Sequence, residues 1–191
     1  LYAWAVMSNH THVVLRVDPG LPGTWSDEEV ARRWARLSRT LDPVSEAEQE
    51  RRVRVLLLQP DRVAELRGRL GSLSWFMRFL NEAVARQANA EDECTGRFWE
   101  GRYKCQALVD EAAVLACMAY VDLNPIRAGI AQGLEDSDFT SIRRRLRTLE
   151  DEHGPAAASL EPLVGDAAEK PAMTTRDYLE LLRWTASRCA P

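Results

Sequence analysis

Residues 2–17 read Tyr2-Ala3-Trp4-Ala5-Val6-Met7-Ser8-Asn9-His10-Thr11-His12-Val13-Val14-Leu15-Arg16-Val17. This stretch is rich in β-branched and aromatic residues, a composition that predicts a β-strand. Side chains alternate between the two faces of a strand, so His10 and His12 are predicted to point the same way. Two imidazoles spaced about 7 Å apart along one face can converge on a single divalent cation. A pair of exposed histidines on a half-wet strand is the competing interpretation, and the pair alone leaves both open.

A second informative stretch, residues 110–129, has the pattern of a helix followed by a stop. Asp110 is a suitable N-cap, and Gly129 is a suitable residue beyond the far end. An apolar stripe at helical spacing is formed by Val114, Leu115, Met118 and Val121. Tyr120 and Asn124 lie four residues apart and therefore share a face near the end of the helix. The pattern predicts a phenol beside an amide oxygen, while packing of Tyr120 on a sheet is the alternative.

A third stretch, residues 96–109, interleaves basic and aromatic side chains and predicts another strand. In a strand, Arg102 and Lys104 would share one face and Tyr103 would lie on the other. Cations beside aromatic rings suit a single nucleic-acid strand, through charge and through stacking. A half-buried strand whose cations face water is an equally good interpretation.

Together, these stretches resemble the single-tyrosine HUH transposases. The sequence Met-Ser-Asn-His-Thr-His-Val-Val-Leu at residues 7–15 resembles the HUH motif. Arg-Phe-Trp-Glu-Gly-Arg-Tyr-Lys at residues 97–104, and Tyr-Val-Asp-Leu-Asn-Pro-Ile-Arg-Ala-Gly at residues 120–129, resemble the C-terminal half of the same domain. The resemblance is strongest to the branch that includes the REP-associated tyrosine transposases, and it covers residues 1–17 and roughly 71–135. Thr11 departs from the large apolar residue that usually separates the two histidines.

The resemblance implies an α+β fold in which helices pack on a mainly antiparallel, ferredoxin- or RRM-like sheet. Residues 1–135 would form the transposase-like domain, with residues 24–70 as a helical insertion in it. Residues 136–191 would form a C-terminal helical extension. In the family, a strand and a helix precede the histidine strand, so this chain is expected to be N-terminally truncated.

The resemblance also implies an activity: metal-dependent cleavage and rejoining of single-stranded DNA, often at a hairpin, through a covalent phosphotyrosine intermediate, as in DNA transposition. Tyr120 would be the nucleophile, and the attack would leave a 5′-phosphotyrosine and a free 3′-hydroxyl. The divalent cation, Mg²⁺ or Mn²⁺, would be held by His10, His12 and Asn124, and imidazole ligands favour Mn²⁺. DNA contacts are expected from Arg97, Arg102, Tyr103, Lys104 and Arg127. Both monomers and homodimers occur in the family.

Composition limits the remaining possibilities. The 191 residues suffice for one domain with a substantial core. The net charge of −4 does not indicate nucleic-acid binding, so DNA contacts must come from local clusters such as the four arginines in residues 141–147. A solvated helix face is the alternative for that cluster. No apolar run approaches membrane-spanning length, and the four cysteines match neither a zinc motif nor a disulfide scaffold, which predicts a cytoplasmic protein with reduced thiols and no membrane partner.

Two other functions are compatible with part of the pattern. A metal hydrolase of another fold would need further histidine and aspartate ligands, but the chain has one other histidine, and Val13-Val14-Leu15-Arg16 follows the pair. A catalytically inactive DNA-binding protein derived from a transposase, truncated or domesticated, is the stronger alternative. A nicking assay on hairpin DNA with and without Mn²⁺ distinguishes it from an enzyme.

Overall fold

A computed structural model describes residues 1–37, 44–150 and 173–189 of the chain. In these ranges the protein is mainly helical, with eight α-helices and one two-stranded antiparallel sheet. Parts of the predicted helical regions, residues 38–43 and 151–172, lie outside the described residues. Two compact units are formed: the first contains Leu1–Arg16 and Gln106–Pro191, and the second contains Val17–Cys105. None of the helices in the described ranges is long and apolar enough to cross a membrane.

The histidine stretch forms a hairpin and not the single strand predicted over residues 2–17. Strand β1 (Ala3–Val6) pairs antiparallel with β2 (Thr11–Val14). The amide of Met7 donates to the carbonyl of His10 at 2.9 Å and closes the turn. The turn is explained by Ser8-Asn9, two residues whose short polar side chains favour turns over strands.

Helix α5 (Glu111–Asp122) packs against both strands of the hairpin. Asp110 caps it as predicted, because its side chain accepts a hydrogen bond from the amide of Ala113 at 2.7 Å. The predicted apolar stripe is confirmed as the buried face of the helix; Val114, Met118 and Val121 are buried and Leu115 packs against the same core. Tyr120 lies between Met118 and Val121 in the sequence but outside the buried stripe, and it is 46% exposed.

The chain leaves α5 through Leu123 and begins a short helix, α6 (Asn124–Arg127), with Pro125 in its first turn. Proline is favoured there because the first amides of a helix have no partner to lose. Gly129 then adopts a φ of +69°, the left-handed conformation in which glycine commonly ends a helix. Gly129 therefore follows α6 and not the predicted helix α5, whose last residue is Asp122, and Asn124 lies at the junction between the two helices.

Helices α7 (Ser141–Glu150) and α8 (Thr175–Cys189) complete the core of the first unit. Their buried side chains pack with the hairpin and α5; the cluster includes Ala3, Ala5, Met118, Ile142, Leu146, Tyr178 and Leu182. A backbone hydrogen bond also ties β1 to the segment before α7, because the amide of Val6 donates to the carbonyl of Phe139 at 2.9 Å. The region beyond residue 136 thus supplies part of the core on which the histidine hairpin rests.

The strand predicted over residues 96–109 is wrong: this segment has no regular secondary structure. A strand requires a neighbour for its backbone groups and a face to bury, and the segment has no β-pairing. It is held by side chains instead, since Trp99 Nε1 donates to the carbonyl of Asn81 at 2.9 Å and the hydroxyls of Ser74 and Tyr103 lie 3.1 Å apart. The sheet among the described residues has two strands, so these residues do not show a ferredoxin-like sheet.

The described residues of the second unit form four helices, preceded by a 3₁₀ turn at Leu21–Thr24. The helices are α1 (Asp27–Arg36), α2 (Glu46–Leu57), α3 (Pro60–Leu70) and α4 (Leu73–Glu91). The sequence Ser26-Asp27-Glu28-Glu29 has the pattern of a capping box, and Ser26 Oγ accepts a hydrogen bond from the amide of Glu29 at 3.1 Å. The sequence of α4 has a broad apolar face of the kind that is usually core, but α4 has no fully buried residue and Phe76 is 45% exposed.

Candidate metal and nucleophile site

The two histidines of the hairpin converge on one point. His10 ends the turn and His12 is the second residue of β2. Their Nε2 atoms are 3.1 Å apart, and their ring planes are nearly perpendicular, at 87°. The turn at Ser8-Asn9 takes His10 off the strand axis, which explains why the imidazoles approach more closely than the spacing along a straight strand would allow.

Asn124 brings a third polar group to this point. Its amide nitrogen lies 3.2 Å from His12 Nε2, although the two residues are 112 positions apart in the chain. The side chain is 9% exposed, so its position is fixed by the surrounding helices. A half-turn of the amide exchanges its nitrogen and oxygen, which places Oδ1 beside the imidazoles without moving the backbone.

The separations fit neighbouring ligands of one octahedral cation. Two such ligands, each about 2.1 Å from the ion, are about 3.0 Å apart. The observed separations are 3.1 Å between the imidazoles and 3.2 Å from His12 to the amide. The donor set is weak in one respect, because the described residues contain no group of three or more His, Cys, Asp or Glu placed to hold a metal. An ion here would have three neutral protein ligands and would leave positions for water or phosphate.

His12 has the protonation state that a metal ligand needs. Partial burial lowers the pKa of the His12 imidazole below its ordinary value, and the nearby His10 lowers it further. The ring is therefore neutral at pH 7 and keeps a lone pair for a cation.

Tyr120 lies at the edge of this cluster. Its ring centroid is 5.8 Å from that of His12, in an edge-to-face arrangement, and the residue is 46% exposed. Tyr2 and Tyr178, by contrast, are buried in the core, and Tyr103 belongs to the second unit. Tyr120 thus combines contact with the histidine pair and access from solvent.

Arg127 is the one predicted DNA contact that the described structure places beside Tyr120. Its guanidinium carbon lies 4.7 Å above the centre of the Tyr120 ring, in a cation–π contact. Arg127 is exposed and stands at the end of α6. A positive charge is therefore available next to the phenol.

The other predicted DNA contacts, Arg97, Arg102, Tyr103 and Lys104, are exposed residues of the second unit. Arg97 is engaged by its own loop, since its guanidinium donates to the carbonyls of Trp99, at 2.8 Å, and of Glu100. Arg102 and Lys104 do not share the face of a strand, because no strand is formed. Their side chains are open to solvent.

A buried carboxylate, not singled out in the sequence, holds α5 in place. Asp122 is fully buried and accepts hydrogen bonds from the Ser141 hydroxyl and from the amide of Ile142, at 3.1 Å. Its other oxygen accepts from Arg145, at 3.1 Å, and from the Tyr178 hydroxyl, at 2.8 Å. Burial raises the pKa of the Asp122 carboxyl, while these donors and the Arg145 charge act in the opposite direction.

The Asp122 network has two consequences for the site. It ties the end of α5, between Tyr120 and Asn124, to both α7 and α8. It also gives Arg145, from the predicted arginine cluster, a structural role. A signal was present in the sequence, because Asp122 follows Met118 by four residues and so extends the apolar stripe with a charged residue that must find partners.

Comparisons with protein-family models, with curated proteins and with solved structures found no match to this chain. Function is therefore inferred from the geometry of His10, His12, Tyr120, Asn124 and Arg127.

Proposed function

We propose that this protein cleaves and rejoins single-stranded DNA in a metal-dependent reaction through a covalent link to Tyr120, as a single-tyrosine HUH transposase does. One observation carries the proposal: His12 Nε2 lies 3.1 Å from His10 Nε2 and 3.2 Å from the amide nitrogen of Asn124, beside an exposed tyrosine ring. Phosphoryl transfer needs a cation site and a nucleophile held close together, and this cluster supplies both.

The fit of the donor atoms supports a resident cation. His10, His12 and Asn124 would hold Mg²⁺ or Mn²⁺, which when bound polarises a non-bridging oxygen of the phosphate. All three side chains are neutral, so they do not reduce the positive charge presented to an anionic substrate. Partial burial, and then the nearby His10, lower the pKa of His12, so protons compete less for its nitrogen.

Tyr120 would carry out the exchange of bonds. Its phenolic oxygen attacks phosphorus and its proton passes to solvent; the bond from phosphorus to the 3′ oxygen breaks, and that oxygen leaves as a hydroxyl after taking up a proton. The energy of the phosphodiester is kept in the new bond from tyrosine to phosphorus. A 3′-hydroxyl can therefore reverse the step and rejoin the strand.

The substrate would approach from the exposed side of Tyr120. The guanidinium of Arg127, over the tyrosine ring, places a positive charge where a phosphate must enter. Arg102, Tyr103 and Lys104, in the second unit, would make backbone and base contacts with single-stranded DNA. The proposal also carries with it the larger ferredoxin- or RRM-like sheet expected of the family, of which β1 and β2 would be a part.

Incubation of the protein with a labelled single-stranded hairpin DNA tests this function. We expect a cleaved strand and a protein–DNA adduct that survives denaturation in Mn²⁺, and neither product in EDTA. Binding of the hairpin without cleavage in Mn²⁺ or Mg²⁺ would contradict the enzymatic proposal and favour the inactive DNA-binding protein.

Substitution of exposed cations tests whether the second unit contributes to DNA binding. Arg102→Ala combined with Lys104→Ala should weaken binding of single-stranded DNA and lower the slope of log affinity against log salt by about 1.4, at roughly 0.7 per phosphate contact. Arg54→Ala, which removes an exposed cation from α2, is the matched control. An unchanged salt slope in the double variant would remove these two residues from the interface.

A further inference from the structure

We propose that Asn9 is a positioning residue that fixes the tautomer of His10, so that the proton sits on Nδ1 and the lone pair of Nε2 faces the cation site. This inference rests on the proposed metal-binding function. It assigns a role to a residue that lies outside the predicted ligand set.

The contact is short, and its direction follows from the atom of Asn9 that faces the ring. Asn9 Oδ1 lies 2.6 Å from His10 Nδ1. An amide oxygen can only accept a hydrogen bond, so Nδ1 must carry the hydrogen. A neutral imidazole has one hydrogen for its two nitrogens, which leaves Nε2 of His10 with a lone pair.

That lone pair is aimed at the cluster already described. His10 Nε2 is 3.1 Å from His12 Nε2, and His12 Nε2 is 3.2 Å from the amide nitrogen of Asn124. With its hydrogen on Nδ1, His10 presents the lone pair of Nε2 toward His12, where it is available to a cation.

The backbone of the turn holds Asn9 beside His10. The turn is closed by the hydrogen bond from the amide of Met7 to the carbonyl of His10, at 2.9 Å. Asn9 and His10 are therefore adjacent in a fixed turn, although both are exposed. An acceptor on the outer nitrogen of a metal-binding histidine both orients the ring and raises its basicity, and its loss typically weakens metal binding about 10- to 100-fold.

The tautomer can be measured without metal or DNA. Long-range ¹H–¹⁵N spectra of the metal-free protein at pH 8 distinguish a protonated Nδ1 from a protonated Nε2. We expect His10 to carry its proton on Nδ1 in the wild type and to lose this preference in Asn9→Ala. Asn9→Asp keeps an acceptor at the same place and should retain it, and Ser8→Ala, in the same turn, should leave it unchanged.

Mn²⁺ titration by calorimetry supplies the second readout. We expect binding to weaken by about 10-fold or more in Asn9→Ala and to be retained in Asn9→Asp and Ser8→Ala. A proton on His10 Nε2 in the wild type, or an Asn9→Ala affinity within twofold of the wild type, would overturn the role of Asn9. A wild type that binds no Mn²⁺ would contradict the proposed function, and the tautomer spectra would then decide the role of Asn9 alone. A purely structural role would lower the melting temperature of Asn9→Ala with no change of tautomer.

Discussion

The histidine hairpin and the segment at residues 97–105 have similar compositions and different structures. Both interleave aromatic and charged or polar side chains, and both are predicted to be strands. In the hairpin, Ala3 and Ala5 are buried in the core, and β1 is joined to β2 on one side and bridged to Thr140 on the other. Residues 97–105 have no such partner and are almost entirely exposed. A strand-like composition becomes a strand only where the backbone finds a neighbour and one face finds a core.

The same difference separates the chemistry of the two regions. A metal site depends on donor atoms held to a fraction of an ångström, and such precision is best provided by packed elements. The hairpin, backed by α5, meets that requirement. The exposed side chains of Arg102 and Lys104 suit contacts with a flexible phosphate backbone, which tolerates variation in geometry.

Breaking the support of the first region should have the largest effect. Asp122→Ala leaves the partly buried Arg145 guanidinium and the buried Tyr178 hydroxyl without this carboxylate, so we expect a loss of about 3–5 kcal/mol in the free energy of unfolding. Urea denaturation measures it. Glu100→Ala, an exposed acid of the contrasting segment, should stay within about 0.5 kcal/mol of the wild type. A loss below about 1 kcal/mol for Asp122→Ala would show that the network does not support the site.

Removing the imidazoles should abolish metal binding and leave the fold intact. His10→Ala combined with His12→Ala deletes two of the three proposed ligands, so we expect Mn²⁺ affinity to fall by at least about 100-fold in calorimetry, or about 2.7 kcal/mol. Both side chains are at least partly exposed, and the melting temperature should change little. Arg102→Ala with Lys104→Ala should bind Mn²⁺ as the wild type does. Equal affinities for the wild type and the histidine variant would refute the metal site.

A smaller difference between the two regions is expected in the alkylation rates of their cysteines. Cys105 is exposed at the end of the segment, whereas Cys117 lies partly buried in α5. Burial raises the pKa of the Cys117 thiol, so a smaller fraction is thiolate at pH 8 and alkylation should be slower than at Cys105. The difference between the two alkylation rates should become smaller as the pH rises, because thiolate then forms at Cys117 as well. Peptide mass spectrometry after timed iodoacetamide treatment measures both rates; equal rates at pH 8 would contradict the packing of α5.

Local signals in the sequence predicted the helices well. The caps at Ser26 and Asp110 and the apolar stripe of α5 all depend on neighbours within a few residues. The sequence predicted that His10 and His12 lie close together, but for the wrong reason: His10 lies in the turn before β2, so the approach of the two rings depends on the turn and not on alternation along one strand. Their approach to Asn124, 112 residues after His12, could be expected only from a family resemblance.

Features that depend on distant partners could not be predicted in the same way. The strand over residues 96–109 failed for lack of a neighbour, and the apolar face of α4 does not find a buried environment. The residue types of Ser8 and Asn9 favour a turn, but the β-branched residues on both sides favour a strand, and the prediction followed the strand signal. The acceptor role of Asn9 and the four hydrogen bonds of Asp122 appear only once the backbone is placed.

The central claim is that Tyr120 forms the covalent link to DNA, and mapping the adduct tests it most directly. Labelled hairpin DNA is incubated with the protein in Mn²⁺, and the adduct is resolved on a denaturing gel and located by peptide mass spectrometry. We predict an adduct on the peptide containing Tyr120, its loss in Tyr120→Phe with DNA binding retained, and a normal adduct in Tyr103→Phe. An adduct on another residue, or one that persists in Tyr120→Phe, would contradict the account.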